Sequence, residues 1–470
     1  MTVPKTGVGT GIADDADPIS TTECASSKPE PFEKGIIKNT TIVAGVALAQ
    51  FLDDVGNAVV LPTNGEIRLR SRLKVPAGRA PRLAFMAGPG DVIGTYEQWS
   101  AGHHDARVPV LSYSAQFYSL VAALGAEALI LTSSPEQPNA PDPRFQFVCV
   151  KRSHAARGLR WHLAEREYAR RVAAVINNWT PDAVILSGDL KPTAYHAVAD
   201  KTCLFLTLHN SYWPMGRRVN GPKNRFQQWL LGRALKRAAG AVCTSVECAR
   251  QYKALAGHCD NVEVETPQVL AGHLEVPRKR QRARTLLFLG RIEASKGVFD
   301  LLDAFGAVAA RFPDARLKLA GSGSADEALT EAISLHSARD QIEFAGLLDA
   351  GNVHATLREA DLLVCPTRSD FKEGLGLVVL EAAVQGVPSV TSSVVPAAET
   401  SGAACVTFPA DDVAELRSTL LRLMEDDAAY AALVSQTGDI RPRMLDRTLG
   451  WGSCLARVML GEQPLNRVLK

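Results

Sequence analysis

Short apolar runs recur along most of this chain, separated by longer stretches in which apolar residues fall at helical spacing. From Pro81 onward, runs at 83–87, 128–131, 145–150, 183–186, 204–208 and 241–244 read as strands, and 116–124, 159–178 and 225–239 read as helices between them. The rhythm restarts at Thr285. Strands are predicted at 285–289, 317–320, 342–344, 362–365, 389–391 and 404–408, with helices at 298–311, 325–335, 353–358, 377–385 and 413–424. Apolar runs of strand length alternating with helical patterns are the mark of β-α-β units and a parallel sheet. The pattern therefore predicts an α/β protein of two Rossmann-like, doubly wound domains, 81–276 and 285–440. Such sheets bind ligands beyond the carboxyl ends of their strands, so the expected place for chemistry is a central cleft between the domains.

The flanking segments break this rhythm. Residues 277–284, Pro-Arg-Lys-Arg-Gln-Arg-Ala-Arg, are polar and basic and read as a hinge. Residues 1–80 read as an extension whose first part is poor in large apolar side chains and expected to be mobile. A short helix fits 41–52. The Asp15 and Asp17 pair has a spacing that metal-dependent sugar transferases use, but it has no strand leading into it and is read as coincidence. The tail 441–470, with Trp451, reads as helical and is expected to cross back onto the first domain.

Composition narrows the class. A chain of 470 residues with 46% hydrophobic and 22% charged residues is a globular enzyme of ordinary type. A formal net charge of +2 gives no reason to expect nucleic acid as a partner. Nine cysteines make an odd count without a C-x-x-C pair, and Cys149, Cys243, Cys365 and Cys405 lie in apolar runs. Buried, reduced cysteine fits better than a disulfide framework or a zinc site, and points to the cytosol. The first thirty residues lack a basic start and an apolar core, so no secretory signal is expected. The apolar stretch 43–62 is broken by Asp53 and Asp54, which argues against a membrane span.

The second half carries the chemistry. Gly290-Arg291-Ile292-Glu293-Ala294-Ser295-Lys296-Gly297 stands between a strand and a helix, holding two cations on a short loop beside a helix N-terminus. Phosphates favour that combination, although a solvated turn with two surface cations has the same sequence. Further on, Phe371-Lys372-Glu373-Gly374-Leu375-Gly376-Leu377-Val378-Val379-Leu380-Glu381 sets two glutamates seven residues apart. Glu381 falls inside an otherwise apolar helix, where a carboxylate needs a partner or a ligand. Gly374 and Gly376 open that helix and offer a second amide-lined anion site. Leu319-Ala320-Gly321-Ser322-Gly323 and Phe344-Ala345-Gly346-Leu347 are strand ends of a kind common in nucleotide-binding domains.

In this order, Gly-Arg-x4-Lys-Gly, Ala-Gly-x-Gly, Phe-x-Gly and Glu-x7-Glu resemble the donor half of retaining GT-B glycosyltransferases, most closely glycosyltransferase family 4, over about 285–434. The resemblance implies a nucleoside-diphosphate sugar as donor and a glycan or lipid-linked acceptor. It implies that Arg291 and Lys296 hold the diphosphate and that Glu381 receives the ribose hydroxyls. Glu373 would face the transferred sugar, amides around Gly374, Leu375 and Gly376 would bind sugar and phosphate, and Leu347 would touch the base. Leu375 departs from the Phe that the family often has there. Two cations and a helix terminus can replace a metal ion, so neither cofactor nor metal is expected. A GT-B-shaped epimerase, a phosphorylase and a non-catalytic nucleotide-sugar-binding subunit are the alternative readings. The Arg-Lys and Glu-x7-Glu set argues against the first, and no distinctive pyridoxal-binding segment speaks for the second.

The acceptor half says less. Leu206-Thr207-Leu208-His209-Asn210 is a strand ending in His and looks like the family's strand-His-Asp segment, with Asn last; the resemblance would set His209 near the transferred sugar. Ala87-Gly88-Pro89-Gly90-Asp91 fits loosely the family's Gly-Gly loop, with Gly88 and Gly90 approaching the donor, although a plain turn explains it nearly as well. Between Lys151 and Arg171 lie Arg152, His154, Arg157, Arg160, Arg166, Arg170 and Arg171, with Trp161 among them. Charge runs are usually solvated faces. A basic face with an exposed Trp would also suit peripheral contact with an anionic membrane from the cytoplasmic side.

Overall fold

The computed structural model describes residues 58–88, 90–105, 107–152, 158–188, 190–198, 200, 202–217, 221–257 and 261–462. The Asp15–Asp17 pair, the expected helix at 41–52, Pro89, His154 and Arg157 lie outside the described residues.

Two parallel sheets organise the chain. The first has seven strands: β1 Arg82–Met86, β2 Glu127–Thr132, β3 Phe145–Cys149, β4 Ala183–Ser187, β5 Cys203–Leu208, β6 Gly240–Cys243 and β7 Val262–Val264. The second has six: β8 Thr285–Leu289, β9 Arg316–Ala320, β10 Ile342–Gly346, β11 Leu362–Cys365, β12 Ser389–Ser392 and β13 Cys405–Phe408. Their spatial orders are β3-β2-β1-β4-β5-β6-β7 and β10-β9-β8-β11-β12-β13. Strand order reverses at β1/β4 and at β8/β11. The crevice at each reversal is where a doubly wound sheet receives ligand.

The strands are apolar on both faces because helices cover both. Leu83 and Phe85 pack with Phe117 and Trp451 on one face of the first sheet, whereas Ala84, Val184 and Leu186 pack with Val172 and Ile176 on the other. Leu286 and Phe288 of β8 join Leu301 and Phe305, while Leu287 faces Leu380 and Val384. The period-2 alternation in sequence thus becomes a helix layer on each side.

The helix Trp451–Leu460 packs on the first sheet, against the helices Gly65–Arg72 and Tyr113–Ala123 and strands β6 and β7. Trp451 is fully buried and donates Nε1–H to Thr207 Oγ1 at 2.9 Å. Arg457 meets Glu263 at 2.9 Å in a buried ion pair. The chain therefore crosses between the sheets twice. The two crossings are stitched by Thr266 N–H to Leu449 C=O at 2.8 Å and Val269 N–H to Met444 C=O at 3.0 Å.

Two boundaries differ from the sequence expectation. Residues ahead of 81 already belong to the first domain, since Leu69 and Leu73 sit in its core. The basic segment 277–284 is no solvated hinge. Arg280 is buried and donates to the carbonyls of Ala360 (2.9 Å) and Arg358 (2.7 Å) and, more weakly, to those of Gln385 and Gly386. Arg278 pairs with Asp361. A planar guanidinium with five donors can satisfy several carbonyls at once, which is why so basic a segment folds onto the second domain.

Candidate functional site

The second sheet delivers its chemistry at its switch point. The loop Gly290–Gly297 leaves β8, and the loop that carries Phe371, Glu373 and Gly374 follows β11, the neighbouring strand. Close approach of these loops needs glycine: a Cβ on Gly297, whose φ is +74°, would lie 1.9 Å from the Pro366 carbonyl oxygen. Lys296 Nζ donates to Glu373 Oε2 at 2.5 Å, and Thr367 Oγ1 donates to the same oxygen at 3.3 Å. Lys296 Nζ also stands 4.2 Å from the centre of the Phe371 ring, with the Arg291 guanidinium 5.2 Å from it. Arg291 is more exposed and pairs with Glu293 at 2.7 Å. Both cations thus lie against one aromatic ring, each with a carboxylate that a stronger anion would have to displace.

Two cavities of about 330 Å³ each flank this centre. The first is lined by Gly290, Arg291, Gly321, Leu347, Leu348, Val353, Val378 and Glu381, with Pro109 contributed by the first domain. Its walls are apolar side chains and bare glycine backbone, a surface that accepts a flat ring, and Leu347 lies at its exposed rim. Glu381 is buried, and no group among the described residues hydrogen-bonds its carboxylate. Burial pushes its pKa from 4.5 up to about 7. Stability held by its neutral form is complete below pH 4.5 and is lost as pH rises through about 7, at a cost of about 3 kcal/mol once ionisation is full. Glu381→Leu should therefore melt a few degrees higher than the wild type at pH 8, with the gap closing towards pH 4.5. Differential scanning calorimetry across that range checks it; an unchanged or lower melting temperature at pH 8 would contradict the assignment.

The second cavity is lined by Ser112, Tyr113, His209, Asn210, Thr244, Glu265, Glu373, Gly374, Leu375 and Gly376, among others. Here the two domains touch. A Cβ on Gly374 would lie 2.2 Å from the His209 carbonyl oxygen, and Cys248 Sγ reaches the Gly374 carbonyl at 3.5 Å. His209 follows β5. Its Nε2 lies 2.9 Å from Thr207 Oγ1, and its ring packs against that of Tyr113 at a 37° tilt, with centroids 4.3 Å apart. Arg250 and Glu399 form a two-pronged pair across the domains at 2.7 and 2.9 Å.

The structure thus gathers His209, Glu373, Gly374, Leu375 and Gly376 at one cavity and Arg291, Leu347 and Glu381 at the other, with Lys296 joined to Glu373 between them. Gly88 and Gly90 follow β1 but line neither cavity; the space where their side chains would stand is open. The basic stretch is more committed than its sequence suggests. Arg152 grips the buried Glu165 at 2.8 and 2.6 Å, and Arg171 donates to the Lys151 carbonyl. Trp161 is half-buried under Lys191 rather than exposed. No helix among the described residues is long and apolar enough to cross a membrane.

Sequence reasoning missed Tyr113, Thr244 and Glu265, which come from three separate elements. The one available signal was Glu263 within, and Glu265 directly after, the short run Val262–Val264 that became β7, because carboxylates at a buried strand need a reason.

Residues 283–426 match the family model described as glycosyl transferases group 1, and residues 110–267 match that of the glycosyl transferase 4-like domain. Glycogen synthase of Mycobacterium tuberculosis H37Rv is 34% identical over 154 residues, 32% of this chain and 36% of that protein. Phosphatidyl-myo-inositol mannosyltransferase of Mycolicibacterium smegmatis is 29% identical over 199 residues, 41% of this chain and 50% of that protein. The chain thus spans between about a third and a half of the curated relatives it matches. Among solved structures, Anabaena HepE in complex with UDP superposes with a TM-score of 0.55 at 14% identity, covering 78% of this chain and 96% of HepE. WaaG, a glycosyltransferase of lipopolysaccharide biosynthesis, gives 0.54 at 16% identity, covering 80% and 99%. Those two share the fold of two facing sheets. With both halves matched by family models and the ordered residues gathered at one cleft, the chain belongs to the group 1, family 4 type of GT-B glycosyltransferases.

Proposed function

We propose that this chain transfers a hexosyl group from a nucleoside-diphosphate sugar to a hydroxyl of a glycan or glycolipid acceptor, with retention at the anomeric carbon. The observation that carries this reading is the Lys296–Glu373 pair, which stands at the switch point between a ring-accepting cavity and the cavity that His209 shares. The names of the relatives support both acceptor classes, one being a glycogen synthase and another a phosphatidyl-myo-inositol mannosyltransferase.

In this reading the base rests beside Leu347, and Glu381 receives the ribose hydroxyls. The diphosphate displaces the carboxylates that now hold Arg291 and Lys296. The sugar faces Glu373, His209 and the amides of Gly374 to Gly376. The acceptor oxygen bonds to the anomeric carbon as the bond from that carbon to the phosphate oxygen breaks, both on the same face. The acceptor's proton passes to the leaving phosphate oxygen, so the products are the glycosylated acceptor and a nucleoside diphosphate. Negative charge grows on the diphosphate as the bond opens, and Arg291 and Lys296 stabilise it more strongly then than in the ground state. Two fixed cations supply that charge without a metal ion or cofactor; loss of transfer on chelation, restored by a divalent cation, would refute this. The setting we propose is polysaccharide or glycoconjugate assembly in the cytoplasm, with the stretch between Lys151 and Arg171 meeting the inner membrane surface peripherally.

The direct test is a melting series with UDP, GDP and ADP. One of them at about a hundred times its dissociation constant should stabilise the chain by about 2.7 kcal/mol, and Glu381→Leu should blunt that shift. No shift with any of the three would remove the basis of the reading.

A further inference from the structure

One buried acid at the acceptor-side cavity has no partner for half of its carboxyl. Glu265 directly follows β7, is 5% exposed and lines the cavity. Its Oε1 accepts from Tyr113 Oη at 2.8 Å and Thr244 Oγ1 at 3.2 Å. Its Oε2 is buried without a hydrogen-bond partner among the described residues. Glu263, two residues earlier, shows the ordinary solution, because its carboxylate is matched by Arg457 at 2.9 Å. No such cation reaches Glu265 among the described residues. A buried polar atom left unsatisfied is costly, and a ligand that completes it removes that cost.

The surroundings narrow the ligand. Among the described residues no lysine or arginine lines this cavity, whereas two acids do, Glu265 and Glu373. A phosphate or carboxylate there would shed water and face two carboxyl groups, and the one nearby cation, Lys296, is already engaged by Glu373 at 2.5 Å. The Tyr113 and His209 rings, in contact at a 37° tilt, with Val110, Leu111 and Leu377 on the same lining, offer an apolar shelf beside the acid. A ring with one C–H-rich face and hydroxyls at its edge matches both surfaces. Burial pushes the Glu265 carboxyl up to about 7, so near neutral pH its free oxygen can donate to or accept from a hydroxyl.

We propose that Glu265 is a specificity determinant for the acceptor: its Oε2 hydrogen-bonds a hydroxyl of an uncharged polyol ring, a pyranoside or a cyclitol, and the cavity rejects the same ring carrying a phosphate. The assignment rests on the glycosyltransferase reading, which makes this the acceptor side of the cleft.

The test is a ligand-observed NMR titration of the full chain, with and without the stabilising nucleoside diphosphate. The probes are methyl glucoside, methyl mannoside and myo-inositol, each against its phosphate ester. At least one neutral ring should bind, and its phosphate ester should bind about ten-fold more weakly or worse. Glu265→Leu should weaken the neutral ring by about ten-fold or more, whereas Glu265→Gln, which keeps a hydrogen-bonding group, should stay within about three-fold. Nucleotide affinity should be unchanged in both variants. Preference for the phosphate esters, no binding of any neutral ring, or undiminished binding by Glu265→Leu would overturn the proposal. The neutral-against-phosphate comparison uses the wild-type chain and decides the matter even where Glu265→Leu does not fold. Failure of all three nucleoside diphosphates to bind strikes the transferase reading instead, so the two failures are distinguishable.

Discussion

Glu373→Ala should lower sugar transfer by about a thousand-fold while leaving nucleoside diphosphate affinity unchanged or higher. The carboxylate is buried, lies in the cavity that His209 shares, and is bound by Lys296 and Thr367. In the proposed reaction it faces the sugar, and its contacts matter most as the anomeric carbon becomes electron-poor. Removing it costs transition-state stabilisation and frees the Lys296 ammonium from a 2.5 Å partner, which leaves that cation more available to a diphosphate. The expected signature is a collapse of kcat together with a dissociation constant for the nucleoside diphosphate that does not rise, read by single-turnover transfer and by calorimetric titration. Turnover within about ten-fold of wild type would refute the role of Glu373.

Lys296→Ala should have nearly as large an effect for a different reason. In the proposed reaction it removes a cation from the leaving group, about a hundred- to a thousand-fold in kcat/KM, and it strands Glu373 in a buried position with the Thr367 hydroxyl as its remaining partner among the described residues. Breaking one side of a buried pair costs about 3–5 kcal/mol when the remaining charge stays uncompensated. Lys296→Ala should therefore unfold at a lower denaturant concentration than wild type, and the Lys296→Ala/Glu373→Ala double variant should recover much of that loss while staying inactive. Such a cycle separates structure from catalysis, because stability is restored without activity. A double variant less stable than Lys296→Ala would show that the pair does not couple as its geometry requires.

The legible part of this chain was the part in which local sequence and global fold agree. Strands such as Leu286–Leu289 are apolar on both faces and bounded by glycine, so their parallel pairing follows from composition alone. The second-half residues could be placed together because Arg291, Lys296 and Glu373 come in a fixed order on loops attached to adjacent strands, with Glu381 on the helix that follows. The acceptor wall offered no such order. Tyr113 starts a helix, Thr244 follows one strand and Glu265 another; only the folded sheet makes them neighbours. Charge misled where it was dense. Arg280 reads as solvated in a run of basic residues, yet buried carbonyls claim it, and Arg152 reads as part of a basic face, yet Glu165 neutralises it.

The helix Trp451–Leu460 closes the first sheet, and this sets the order in which the two halves can mature during synthesis. Trp451, Leu455, Val458 and Met459 lie in the same core as Phe85 and Phe117, so the first sheet stays incomplete until this helix has left the ribosome. The second sheet, with β8 to β13 contiguous in sequence, has all its strands earlier and can consolidate first. Translation therefore runs against the usual sequence in which amino-terminal domains settle before those that follow. A nascent chain stalled before Trp451 would display the aromatic underside of its first sheet, a surface for chaperones rather than for sugars.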